Sequence, residues 1–202
     1  MKAFINIVKE VIIRILNWQY YCFLRKIGKG VRIKSNVMMN GRKYISLEDN
    51  VTIAPNCFLQ VIDNLLTSPP HLLIKQGSLI GRNTQISVIR SVTIGSDCIF
   101  AGNCFISDTT HSYNDITIPI IKSPLKKLKI VNIGDGSWLG RNASVIGASI
   151  GKHCIVGNCC MVTRDIPDYS VVVGNPCKII KRYNTEAKQW QKTDKDGNFI
   201  TK

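Results

Sequence analysis

The sequence predicts an all-β protein built as a parallel β-helix, in which the chain winds through stacked, flat-sided coils. Three runs, at residues 94–108, 133–145 and 150–162, carry a six-residue repeat of one aliphatic residue that is usually followed by a small one. An α-helical face needs apolar residues three and four positions apart, so this period is not helical. Such repeats indicate a solenoid whose coils are completed by stacking on their neighbours.

Each position of the six-residue repeat has a predicted role. The aliphatic residue and the small residue two positions before the next aliphatic one both point inward. Between them, Gly, Asn and Asp tolerate positive φ and turn the corners. Five of the eight cysteines occupy the small inward position: Cys57, Cys98, Cys104, Cys154 and Cys160. No metal-ligand spacing accompanies them, so we interpret them as buried apolar thiols in a reducing compartment.

Residues 1–26 are predicted to form an N-terminal amphipathic helix with a narrow polar stripe and a wide apolar face. Lys9, Glu10 and Arg14 interrupt the apolar run, so the segment is neither a membrane-spanning helix nor a cleavable signal peptide. Two interpretations follow. Either the helix packs on the coil or a neighbouring subunit, or its basic, aromatic-ended surface makes peripheral contact with the anionic inner face of a membrane.

The coil itself is predicted over residues 27–177, with a protruding loop at 112–131 that does not follow the repeat. The coil is expected to stop at Pro167, after which residues 171–176 form a closing strand and turn. Residues 178–202 are then a short C-terminal tail, helical or extended in its first part. One domain is expected for a chain of 202 residues.

The net charge of +14 is clustered along the chain. Residues 1–43 hold ten Lys or Arg against one acidic residue, residues 122–129 hold four, and the tail from residue 178 holds seven. Such clusters attract phosphorylated cofactors, acidic glycans or lipid head groups. No nucleic-acid-binding motif accompanies the charge, so nucleic acid is not expected as a partner.

Four stretches resemble the hexapeptide-repeat acyltransferases, a family of left-handed parallel β-helices that includes maltose, galactoside and capsule-polysaccharide O-acetyltransferases. They are Asp108-Thr109-Thr110-His111 and the segments 133–140, 157–167 and 174–181, in the order and spacing of the family. The resemblance implies a left-handed β-helix that forms a homotrimer, with active sites between adjacent prisms. It also implies acetyl-CoA as the acyl donor and no metal.

The same resemblance implies roles for individual residues. His111 stands where the family places its general base, which takes the proton from an acceptor hydroxyl as that oxygen attacks the thioester. The residues implied to line the acceptor pocket are Ser87, Ser107, Asp108 and Trp138. Those implied along the acetyl-CoA path are Gly140, Arg141, Asn158, Thr163, Arg164, Lys178 and Lys181.

The function implied is acetyl-CoA-dependent O-acetyl transfer to a saccharide hydroxyl, in surface or capsular polysaccharide biosynthesis on the cytoplasmic side of the membrane. The basic N-terminal helix suits a lipid-linked or acidic acceptor. Two alternatives stay open: N-acetylation of an amino sugar, and a non-catalytic β-helix scaffold. Zinc carbonic anhydrase chemistry is not expected, because it needs three imidazoles at one site, whereas His71, His111 and His153 are about forty residues apart.

Overall fold

The computed structural model describes residues 18–63 and 68–200, together with positions 8, 11, 12 and 15. The chain forms a three-sided prism of stacked coils, and the strands of each side pair in parallel from one coil to the next. This arrangement confirms the predicted parallel β-helix. We call its three sides A, B and C, in the order in which the chain visits them.

Side A is a five-stranded parallel sheet. Its strands are β1 (Lys26–Ile27), β4 (Ile45–Leu47), β7 (His71–Ile74), β10 (Ser91–Ile94) and β15 (Val131–Ile133). Single bridges at Ile150 and Ile166 extend this side into the last coils. Side C has six parallel strands: β3 (Met38–Asn40), β6 (Phe58–Val61), β9 (Gln85–Val88), β12 (Phe105–Ser107), β17 (Ser144–Ile146) and β19 (Met161–Val162).

Side B continues past the end of the coil. Its parallel strands are β2 (Arg32–Ile33), β5 (Thr52–Ile53), β8 (Leu79–Ile80), β11 (Ile99–Phe100), β16 (Trp138–Leu139), β18 (Ile155–Val156) and β20 (Ser170–Val173). Two antiparallel strands follow, β21 (Lys178–Asn184) and β22 (Gln189–Lys192). The tail is therefore extended rather than helical. Its rings pack back on the coil, with Tyr169–Tyr183 and Tyr183–Trp190 centroid separations of 6.3 and 5.7 Å.

Inward columns of side chains form the core. The aliphatic residues of the repeat are buried, and so are the five cysteines at the small inward position, all of them unpaired. Their predicted role as small apolar residues is confirmed. Burial raises the pKa of Cys104 and Cys154 to about 11, which keeps both thiols protonated and unreactive at neutral pH.

The predicted helix over residues 1–26 lies largely outside the described residues. Helix α1 covers Trp18–Tyr21, and the buried Tyr20 hydroxyl donates a hydrogen bond of 2.8 Å to the carbonyl of Val37. The C-terminal end of the prediction is wrong, because the chain turns after Tyr21 and Lys26 already pairs with side A. Among the residues that the structure describes, no helix is long and apolar enough to cross a membrane.

The predicted loop at 112–131 is in part a β-hairpin that begins before it. Strand β13 (Thr109–His111) pairs antiparallel with β14 (Leu125–Lys127), and a 3₁₀ helix at Ile120–Lys122 lies between them. A second 3₁₀ helix, Arg42–Tyr44, joins sides C and A in the first coil. The hairpin stands off the prism where side C would otherwise continue into side A.

A ladder of left-handed residues turns the corner between sides B and C. Its members all have φ between 55° and 62°: Asn36, Asn56, Asn83, Asn103, Asn142 and Cys159. The Asn83 amide donates to Asn103 at 2.9 Å, and the Asn103 amide donates to Asn142 at 3.1 Å. Asn142 then donates only to the Cys159 sulfur, at 3.6 Å. Asn tolerates this backbone region and Cys does not, so the last rung is the weakest.

Replacing that rung tests the corner. Cys159→Asn should stabilise the protein by roughly 0.5–1 kcal/mol, because it lowers the backbone strain and offers an amide to Asn142. For a chain of this size the melting temperature should rise by about 1–4 °C. Cys159→Ala keeps the strain without the amide and is the control in thermal unfolding followed by circular dichroism. An Asn variant that melts no higher than the Ala variant would contradict the ladder.

Candidate functional site

His111 lines a cleft of about 320 Å³ between side C and the β13–β14 hairpin. Side C forms the floor with residues of four coils, among them Gln60, Gln85, Phe105 and Ile146, and the hairpin forms a wall that includes Leu125. The floor is flat because the strands of side C are in register from coil to coil. The cleft therefore exists only where the hairpin leaves the prism.

Ser107 controls how the chain leaves side C. Its buried hydroxyl donates to the Thr109 carbonyl at 2.8 Å and accepts from the Thr109 backbone N–H at 3.1 Å. Both bonds are local, and they bend the chain out of β12 into β13. His111 lies two residues after Thr109, on strand β13 of the hairpin, and pairs with Leu125 on β14. Ser107 borders the cleft, but its hydroxyl is already used by the bend.

Asp108 has a position different from the one expected for an acceptor-binding residue. The side chain is fully buried, and its carboxylate accepts three backbone hydrogen bonds, from Ile89 at 2.7 Å, Arg90 at 2.8 Å and Ser91 at 2.7 Å. It faces the turn between β9 and β10 and does not line the cleft. Because Asp108 binds three successive backbone N–H groups, two in the turn and one at the start of β10, it holds this turn together.

The His111 imidazole is exposed at the cleft. Within residues 18–63 and 68–200, no group hydrogen-bonds to the ring. Both nitrogens are therefore open to a bound molecule, as a general base requires. Lys126, on the facing strand of the hairpin, is engaged with the Tyr113 ring, 5.6 Å from its centroid.

Of the four residues implied to line the acceptor pocket, the structure brings Ser87 and Ser107 to the cleft with His111. Trp138 instead lies on side B, in register between Ile99 and Ile155, with 48% of its surface exposed. Side B meets side C at a corner of the prism, so Trp138 cannot line the His111 cleft of its own chain.

The residues implied along the acetyl-CoA path lie at three places near the C-terminal end of the prism. Gly140, Arg141 and Asn158 meet at the B–C corner, where the Arg141 backbone N–H donates to Asn158 Oδ1 at 2.9 Å. A Cβ on Gly140 would lie 2.5 Å from that same oxygen, so only glycine fits there. Lys178 and Lys181 are exposed on β21.

Thr163 and Arg164 lie at the third place, the corner between sides C and A. Thr163 is exposed there. The Arg164 guanidinium forms a 3.0 Å ion pair with Asp196 and also contacts the Lys195 carbonyl. Arg164 thus fastens the tail to the coil and is less available to a phosphate than Lys178 or Lys181.

Sequence reasoning missed several residues that line the His111 cleft. Three of them occupy outward positions of side C, namely Gln60, Gln85 and Phe105. Counting the six-residue repeat along the chain could have identified these positions. It could not have identified Leu125, because the place of Leu125 depends on the pairing of β14 with β13 across a segment without a repeat. The hairpin is therefore the part of the site that the sequence pattern does not contain.

Comparisons with curated proteins find acetyltransferases, although no protein-family model matches the chain. It is 38% identical to a provisionally named acetyltransferase of Mycobacterium tuberculosis, over 51% of this chain and 34% of that protein. It is 40% identical to Escherichia coli WbbJ, provisionally named a lipopolysaccharide biosynthesis O-acetyl transferase, over 54% of this chain and 59% of WbbJ. A Lactococcus lactis galactoside O-acetyltransferase is 26% identical, over 68% of this chain and 69% of that enzyme. The chain thus spans about a third and three fifths of the first two relatives.

Solved structures share the fold. A variant of AntD, an N-acyltransferase from Bacillus cereus in complex with dTDP-4-amino-4,6-dideoxyglucose and coenzyme A, superposes with a TM-score of 0.70 at 19% identity, covering 85% of this chain and 91% of AntD. A maltose O-acetyltransferase from Clostridium difficile gives 0.53 at 22% identity, covering 81% and 72%. Together these findings confirm the resemblance to hexapeptide-repeat acyltransferases and the left-handed β-helix that it implied.

The position of Asp108 predicts a large loss of stability on truncation. Asp108→Ala leaves three backbone N–H groups without an acceptor, so we expect a loss of at least about 3 kcal/mol in the free energy of unfolding. The matched control is Asp115→Ala. Among the described residues, Asp115 bonds only to Thr117 in an exposed loop, so its loss should change stability by less than about 0.5 kcal/mol. Urea unfolding measures both. An Asp108→Ala protein as stable as its parent would mean that the carboxylate does not hold the turn.

Proposed function

We propose that this chain is an acetyl-CoA-dependent O-acetyltransferase that acts on a saccharide hydroxyl in surface-polysaccharide biosynthesis. The observation that carries the proposal is the unengaged His111 imidazole in a cleft beside a flat side, on a motif shared with the acetyltransferase family. The relatives with O-acetyltransferase names support oxygen as the acceptor atom. The scaffold alternative gives no reason for an imidazole left without a partner in a cleft.

In the proposed reaction, His111 transfers one proton. Its ring accepts the proton of the acceptor hydroxyl while that oxygen bonds to the carbonyl carbon of the thioester. When the carbon–sulfur bond breaks, the imidazolium returns the proton to the leaving thiolate, so the ring ends as it began. The cleft volume of about 320 Å³ suits a sugar ring rather than a whole nucleotide.

The donor is proposed to lie toward the C-terminal end of the prism, where the implied acetyl-CoA residues are found. Lys178 and Lys181 are exposed on β21, and Arg141 is exposed at the B–C corner, so all three can meet phosphates. AntD, with the same fold, was solved with coenzyme A. Because AntD is an N-acyltransferase, transfer to an amino sugar is the second candidate, although the relatives matched by sequence favour oxygen.

A homotrimer is proposed because side B carries an apolar outer surface. Its outward residues align from coil to coil in a side-B column: Leu79, Ile99, Trp138, Ile155 and Val171. Ile99 and Trp138 are 55% and 48% exposed. A three-fold ring joins unlike surfaces of neighbouring chains, so side B of one prism can face the His111 cleft of the next. Trp138 would then reach an acceptor pocket that is formed by two chains.

Substitution of His111 tests the chemistry. His111→Ala should lower the turnover number by roughly 10²–10⁴-fold, because no other group takes the hydroxyl proton. Acetyl-CoA affinity by calorimetry should be unchanged, whereas Lys181→Ala should raise the acetyl-CoA requirement with little effect on saturated turnover. The matched control is His153→Asn, an exposed histidine whose φ of 52° Asn tolerates. Parental turnover in His111→Ala, with an identified saccharide acceptor, would place the base elsewhere.

The trimer is tested by sedimentation at micromolar concentration. The parent should sediment with three times the chain mass of 22.6 kDa. Ile99→Glu should dissociate it, because the interface would bury an unpaired charge. Ile200→Glu is the control, since Ile200 is 59% exposed, close to Ile99, but lies outside the side-B column. A parent that sediments as a monomer would refute the assembly.

A further inference from the structure

A second cleft lies beside side A, and the β13–β14 hairpin borders it as well as the His111 cleft. Its volume is about 510 Å³, larger than that of the His111 cleft. The polar residues that line it include His71 and Ser91 from side A, Arg90 from the turn before β10, and Lys127 from the hairpin. None of them belongs to the site described so far.

The cleft is positively charged. Among the residues that the structure describes, neither Arg90 nor Lys127 forms an ion pair, whereas Lys129 on the same segment pairs with Asp165 at 3.4 Å. The carboxylate of Asp108, which accepts the Arg90 backbone N–H, is buried and also accepts those of Ile89 and Ser91. The two cations therefore face the cleft without a carboxylate partner, and a bound anion would complete their pairing.

Arg90 is also held in place. The Arg90 backbone is fixed by Asp108, and its guanidinium donates to the Leu128 carbonyl at 3.1 Å, which leaves its remaining N–H donors for a ligand. The backbone of Lys127 pairs with Thr109 across the hairpin, and its side chain is exposed. The His71 ring lies 3.2 Å from the Ser46 hydroxyl, and burial together with the positive charge of Arg25 lowers its pKa. Positioned donors of this kind bind an anion better than mobile surface lysines do.

We propose that this cleft binds the diphosphate of the molecule that carries the acceptor saccharide. A diphosphate offers several oxygens to the donors of Arg90 and to Lys127 and Ser91, and the volume leaves room for more than one phosphate. The donor cations Lys178 and Lys181 lie on β21 at the end of side B, so the coenzyme phosphates have a separate place. That the diphosphate carries the acceptor saccharide rests on the proposed function, whereas the binding of a diphosphate in this cleft does not.

The hairpin explains how the two clefts would act together. Leu125 lines the His111 cleft, and Lys127, two residues later on β14, lines the side-A cleft. Residues two apart on a strand point to the same face, about 7 Å from one another, so the two clefts are close together. Lys127 is opposite Thr109, which is two residues before His111 on the same strand. A saccharide that extends from a diphosphate at Arg90 and Lys127 can therefore run along β14 toward His111.

Inorganic pyrophosphate is the probe, titrated calorimetrically into the full chain at low ionic strength. We expect one site per chain. Arg90→Gln and Lys127→Gln should each weaken binding by roughly tenfold or more, because each removes charged hydrogen-bond donors. Lys122→Gln removes the same charge from an exposed position on the same hairpin segment and is the matched control, expected to change affinity less than about twofold. Melting temperatures equal to that of the parent would show that each variant is folded.

Two further variants separate the possible outcomes. His111→Ala should bind pyrophosphate as the parent does, so a failure of the proposed catalysis would leave the site standing. Lys181→Gln should also bind normally. If Lys181→Gln loses pyrophosphate while Arg90→Gln keeps it, the anion occupies the donor site and the inference is overturned. Absence of binding at millimolar pyrophosphate overturns it as well.

The source of the diphosphate is distinguished with two ligands, uridine diphosphate and geranyl diphosphate. Tighter binding of one than of pyrophosphate, lost in Arg90→Gln, would identify a nucleotide or an isoprenoid carrier respectively. Equal affinity for all three, again lost in Arg90→Gln, would mean that only the diphosphate is recognised. If Arg90→Gln bound both ligands as tightly as the parent, the cleft would not be a diphosphate site.

Discussion

Three backbone N–H groups converge on the carboxylate of Asp108, and both clefts depend on that contact. It closes the turn between β9 and β10, so it fixes Arg90 at the mouth of the side-A cleft. The Asp108 carbonyl also accepts the Leu128 N–H at 2.9 Å, which anchors the returning end of the hairpin. Asp108 therefore helps to position both Arg90 and the hairpin that carries His111 and Lys127, although it is buried and lines neither cleft.

The coil supplies the rigid frame for that contact. Its inward aliphatic columns and left-handed corners repeat so regularly that side C is flat where the hairpin leaves it. Flatness matters because a cleft against a flat side is open along its length and can admit an extended substrate. In the proposed reaction, donor and acceptor would approach one another along the prism, with His111 between them.

The six-residue period in the sequence predicted the coil and the residues that point into it. It predicted little about the segments that depart from the period. The inward cysteines, the corner asparagines and the position of His111 after β12 follow from counting along the chain. The role of Asp108 does not, because it joins residues 17 to 19 positions apart, a separation set by coil length. The pairing of β13 with β14 has no repeat to reveal it. Trp138 and His111 belong to different sides, and only an assembly can unite them.

The central claim is that acetyl transfer takes place at His111, in a cleft completed by a neighbouring chain. A crystal structure with coenzyme A tests it most directly. We expect the prisms to pack around a three-fold axis. The coenzyme A thiol should lie within about 3 Å of the His111 ring or be linked to it by one water molecule, and the phosphates should lie toward Lys178 and Lys181. Coenzyme A bound with its thiol remote from His111 would contradict the account.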